Sequence, residues 1–73
     1  MKEEFKIRTM GFGELAQMYV PSILPSSASR RLQSWIGQNN QLFSSLKSVG
    51  FKKHQKVLTP EMVRIIVQHL GPP

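Results

Sequence analysis

A chain of 73 residues is roughly half the ~150 that serve as a prior for one domain, so two independent domains are excluded, and 40% hydrophobic residues place it in the folded class. Ten Lys and Arg face four Glu and no Asp, for a formal net charge of +6 and a pI near 10.4, and zero cysteines exclude a disulfide framework, a thiolate metal site and a cysteine nucleophile. So short a chain buries only about 60% of the surface its unfolded state exposes, which makes its stability marginal unless copies associate.

The acidic start Met1-Lys2-Glu3-Glu4 is not followed by the apolar run of a secretory signal. The longest apolar runs, such as Met18-Tyr19-Val20 and Ile65-Ile66-Val67, fall far short of the ~20 residues a bilayer span needs. The expectation is a cytoplasmic protein with no membrane partner. Phe5-Lys6-Ile7-Arg8 alternates with period two and predicts a short strand over 5–8, closed off by Gly11 and Gly13. A helix over 13–20 follows, with Leu15, Ala16, Met18 and Tyr19 on its buried side, and Pro21 ends it. The connector Val20–Pro25, with two prolines and two further apolar residues, predicts a packed turn between helices set at an angle.

A second helix over 27–36, capped by Ser26 or Ser27, carries Ala28, Leu32, Trp35 and Ile36 in one stripe, so Trp35 is expected in the core and Gly37 as the stop. Asn39 or Asn40 caps a third helix over 40–49 that buries Leu42, Phe43, Leu46 and Val49 and ends at Gly50. Residues 51–58 predict a basic loop or hairpin whose Val57-Leu58 end pairs with Phe5–Arg8. Thr59-Pro60-Glu61 joins an N-cap, a proline at N1 and a first-turn acid, so a fourth helix runs over 60–70 until Gly71-Pro72-Pro73 stops it. The expected architecture is one mainly α domain over 1–73, four short helices in a helix-turn-helix-like arrangement with a small β element or wing.

The charge is unevenly placed, because residues 15–60 hold Arg30, Arg31, Lys47, Lys52, Lys53 and Lys56 and no acid. Such a segment repels itself or faces a polyanion. Opposite its apolar stripe the second helix presents Ser26, Ser27, Ser29, Arg30, Arg31, Gln33 and Ser34. Short side chains let a backbone approach a DNA major groove, hydroxyls and Arg bind phosphates, and Arg or Gln read base edges. Lys52, Lys53, His54 and Lys56 form a basic wing suited to a phosphate backbone. Duplex DNA is the expected partner, although charge does not separate DNA from RNA.

His54 and His69 lack companion ligands for a metal, no base-and-acid pair supports seryl catalysis, and no phosphate loop is present. No enzyme, cofactor or small-molecule substrate is expected. The fourth helix is apolar over about 200° of its circumference. Met62 and Ile65, bordered by His69, are therefore expected at a homodimer interface. That wide face also motivates the alternative function, a protein-protein interaction module or subunit without a nucleic-acid role.

Glu14-Leu15-Ala16-Gln17-Met18-Tyr19, Ala28, Arg31-Leu32, Trp35-Ile36, Leu58-Thr59-Pro60-Glu61-Met62-Val63, Ile66 and Leu70-Gly71-Pro72 together resemble a family of short proteins of Bacteroides-type bacteria filed as a domain of unknown function. More distantly, Glu-Leu-Ala in a first helix, an Arg-rich second helix ending near Trp and a late Leu-Thr-Pro-Glu start are similar to winged helix-turn-helix domains of the MerR and excisionase type. That second likeness implies a DNA-docking second helix. The third helix and the long connector after Tyr19 depart from its pattern.

Overall fold

The computed structural model describes residues 5–53 and 55–73; the acidic start Met1–Glu4 and the basic-loop residue His54 lie outside the described residues. Four helices and one two-stranded sheet follow in the order β1 (Met10–Gly11), α1 (Phe12–Tyr19), α2 (Pro25–Gln38), α3 (Asn40–Ser48), β2 (Val57–Leu58) and α4 (Pro60–Leu70). The mainly α fold with a small β element is therefore as expected, and local chemistry explains most boundaries. The Thr59 hydroxyl accepts from the Met62 N–H at 3.3 Å and Pro60 occupies N1, so α4 begins where its cap signal lies. Asn39 does the same for α3, its Oδ1 accepting from the Leu42 N–H at 3.0 Å. After α3 and α4, Gly50 and Gly71 take φ of +92° and +86°, a left-handed turn that costs glycine little.

The sheet departs from the sequence reading. The segment 5–8 is not a strand; β1 is Met10–Gly11, antiparallel to β2 with Met10 opposite Leu58 and Gly11 opposite Val57. Alternation at Phe5 and Ile7 is outweighed by burial, because Met10 and Leu58 enter the core while Ile7 stays exposed. Just beyond the strand the Phe12 N–H donates to the Lys56 carbonyl at 2.8 Å, so residues 51–58 form a loop leading into a strand rather than a hairpin. Gln55 organises that loop: its Oε1 accepts from the Lys52 N–H and its Nε2 donates to the Val57 carbonyl.

α2 is longer than expected at both ends. Pro25 is its first residue and Leu24 its cap, so Ser26 and Ser27 lie inside the helix instead of capping it. Gly37 does not stop it, since Ile36 is buried and the next cap, Asn39, sets the end. Gln17 Nε2 donates to the carbonyls of Val20 and Ile23, which makes the connector the packed turn anticipated.

The core is one cluster joining Phe12, Leu15 and Ala16 of α1, Ala28, Leu32 and Ile36 of α2, Leu42 and Leu46 of α3, Phe51, and Met62, Val63, Ile65 and Ile66 of α4 to Met10 and Leu58. Five residues expected on buried stripes fall outside it, among them Tyr19 and Val49, which are partly buried and packed against it. Met18 sits about 110° from the centre of the buried face of α1 and is exposed. Phe43 lies at the edge of the α3 stripe and is 38% exposed. Trp35 is only partly buried, resting against the core at its rim with its ring edge-on to Tyr19. Burial of the Tyr19 phenol pushes its pKa up to about 12, so the hydroxyl stays a donor at neutral pH.

At the edge expected to form a homodimer, Met62, Ile65 and His69 are each engaged within the chain. Met62 and Ile65 are 3% and 7% exposed because the chain's own core covers that edge, and His69 Nδ1 is engaged with the Ile65 carbonyl. Among the described residues, no helix is long and apolar enough to cross a membrane.

Candidate nucleic-acid interface

Helix α2 is held to the core by Ala28, Leu32 and Ile36, which fixes the direction of its opposite face. It packs closely against α1 at Gly13, where an added Cβ would lie 3.3 Å from the Ser29 Oγ. Ser29 is thus partly a packing residue, small so that α1 can approach. Ser26, Arg30, Arg31 and Ser34 are exposed, and Ser27 and Gln33 are partly so.

Two furrows flank this face, and Arg30 borders both. The larger, about 690 Å³, has Ser26, Ser29, Arg30, Gln33 and Ser34 along one side and Lys53 of the loop on the other. Its floor is apolar, made by Ile36, Phe43 and Phe51. The smaller, about 300 Å³, is lined by Ser27, Arg30, Arg31 and Ser34. All seven α2 residues singled out in the sequence therefore border one furrow or the other. Of the loop lysines only Lys53 joins them; Lys52 and Lys56 are exposed but line neither furrow.

The carboxylates of the described residues are committed elsewhere. Arg8 donates to Glu14 at 2.8 Å, and Arg64 bridges Glu61 one turn back in α4. The Glu14 carboxyl is held below its ordinary range mainly by that Arg8 hydrogen bond, with help from the Gly11 N–H. Among the described residues no carboxylate pairs with Arg30, Arg31, Lys52, Lys53 or Lys56. All five side chains belong to exposed residues.

Sequence reasoning missed two contributors. Phe43, assigned to the core, forms part of the floor, and Lys47 lies with its Nζ 5.6 Å from the centroid of the Phe43 ring. A cation one turn after an aromatic residue was the available signal, since i and i+4 share a helix face. Phe51 also lines this furrow, and its N–H donates to the Leu46 carbonyl of α3.

The family described as Domain of unknown function (DUF4248) matches residues 6–73. No curated protein and no solved structure matches the chain.

Proposed function

The chain belongs to the DUF4248 family, and from that premise we propose that it binds duplex DNA, with α2 as the element that enters the major groove and the loop around Lys53 as the grip on a flanking phosphate backbone. The observation that carries the proposal is the convergence of Arg30 of α2 and Lys53 of the loop on one furrow. A 14-residue helix is about 21 Å long, and one whose exposed side is mostly serine is slim enough for a groove about 12 Å wide. Arg30 and Gln33 are the side chains long enough to reach base edges, while Ser26, Ser27, Arg31 and Lys53 suit phosphates. The likeness to MerR and excisionase-type domains agrees with a DNA-docking α2, and with DNA as partner the protein acts in the cytoplasm.

A titration against duplex DNA at several salt concentrations tests this. About four phosphate contacts by Lys and Arg give a slope of log K against log salt near −3.6, and Arg30→Ala with Arg31→Ala reduces it by about 0.9, for the phosphate contact of Arg31, while weakening base preference through Arg30. No duplex binding at low salt, or binding indifferent to the double substitution, overturns the proposal. A second reading, a protein-protein interaction module, is favoured by one observation, the apolar floor of Phe43, Phe51 and Ile36 beneath a basic rim. On that reading the furrow takes an acidic amphipathic segment of a partner protein, and salt-dependent duplex binding is absent.

A further inference from the structure

A separate pocket opens where the ends of α1, α2 and α4 meet the start of α3. It has a volume of about 610 Å³, inside the range of about 300–1,000 Å³ typical of ligand pockets. Tyr19, Trp35 and Leu70 make its apolar wall, and the side chains of Gln38, Asn39, Asn40 and Gln41 make its rim. In a chain of net charge +6, no charged residue lines it among the described residues. The pocket therefore selects by shape and hydrogen bonding, and its ligand is uncharged.

The wall is a corner. Tyr19 and Trp35 stand at 87° to each other with centroids 6.1 Å apart, so two ring surfaces meet at nearly a right angle. A corner of this kind contacts a puckered, three-dimensional ring on two sides, whereas a flat heterocycle meets only one. The rim supplies more donors than acceptors. Asn39 Oδ1 is used by the Leu42 N–H, which leaves its amide N–H groups, and Asn40 and Gln41 are the first two residues of α3, whose backbone N–H groups have no helical partner. A matching ligand is rich in carbonyl oxygens, poor in N–H groups, and built of compact apolar rings.

Polyproline II segments meet all three requirements, because proline has no N–H, the helix makes no internal hydrogen bonds, and each carbonyl projects outward. Within the chain the Tyr19 hydroxyl donates at 2.5 Å to a carbonyl that precedes proline, that of Gly71 ahead of Pro72-Pro73. We propose that the corner of Tyr19 and Trp35, with the side-chain amides of Asn40 and Gln41, binds an uncharged proline-rich peptide in the polyproline II conformation. Pyrrolidine rings pack in the aromatic corner, and the amides donate to the flanking carbonyls.

Trp35 is the only tryptophan, so its emission reports on the pocket directly. The full chain is titrated with a blocked hexaproline peptide, with a blocked Gly-Ser peptide of equal length and with adenosine. The expected result is a saturable change in Trp35 emission with hexaproline alone, weakened about tenfold by Asn40→Ala with Gln41→Ala, whose circular dichroism matches that of the unsubstituted chain. The response is retained in Arg30→Ala with Arg31→Ala, so this site and the DNA surface stand or fall separately. No emission change at millimolar hexaproline overturns the proposal, as does an equal response to Gly-Ser. A response to adenosine alone makes the pocket a nucleoside site, and indifference to the amide substitutions removes the assigned donors.

Discussion

Helices α2 and α4 both start on a proline, yet they use their surfaces in opposite ways. In α4 the Thr59 hydroxyl closes the first turn, Glu61 sits there as an acid, and Arg64 is bridged to it. In α2 the cap position is Leu24, 71% exposed and with a side chain that cannot accept a hydrogen bond, the first turn holds no acid, and Arg30 and Arg31 have no carboxylate partner among the described residues. α4 satisfies its own polar groups and buries four apolar residues. α2 leaves donors and positive charge open to whatever docks against them. The difference separates a helix selected for packing from one whose outer face has little to gain from the fold itself.

The largest test of that contrast removes atoms from the packed helix. Ile66 is fully buried in the core, so Ile66→Ala should cost about 2–5 kcal/mol, a large share of the stability of so small a domain. Arg30→Ala with Arg31→Ala should stay within about 0.5 kcal/mol per substitution, because both residues are exposed. Urea denaturation of the two variants reads both. An Arg variant as damaged as the Ile66 variant would mean that the outer face of α2 is structural after all.

How much of this was legible follows the same division. The bounds of α4 could be read directly, because Thr59, Pro60 and Gly71 act within one turn of the residues they govern. The bounds of α2 could not: Ser26 and Ser27 look like caps, but Pro25 already supplies the φ of a first helical residue. The strand was misplaced for a tertiary reason, since only the pairing of Met10 with Leu58 puts both in the core. The polar face of α2 was visible in full, whereas the furrow beside it was not. That furrow needs Phe43 and Phe51 from two other parts of the chain, and periodicity within one helix carries no information about which neighbour will leave an edge residue uncovered.

A smaller test makes α2 resemble α4. Leu24→Asp places an acceptor at the cap and a negative charge at the positive end of the helix dipole, where it should add about 1 kcal/mol of stability. Thr59→Ala, at the start of α4, should cost about the same. On the DNA reading, Leu24→Asp raises the thermal midpoint and lowers duplex affinity together, because the added carboxylate caps the turn that carries Ser26 and Ser27. A stabilised variant with unchanged affinity would move the phosphate contacts away from the start of α2.

The smallest effect concerns acid. Residues 15–60 carry no carboxylate, and Glu14, just before them, is paired with Arg8. The Arg8 hydrogen bond holds the folded Glu14 carboxyl below its ordinary value of 4.5. A pKa depressed on folding gives stability that is present above the ordinary value and is lost as pH falls through the depressed one. Because the group is solvent-exposed and the pair is screened, the contribution is slight and shrinks further with salt. Thermal midpoints of the unsubstituted chain and Glu14→Gln, taken from neutral pH downward in low salt, should differ by a constant amount until about pH 5 and then converge. Parallel curves through the acid range would show that Glu14 and Arg8 are as free of each other as Arg30 is of any carboxylate.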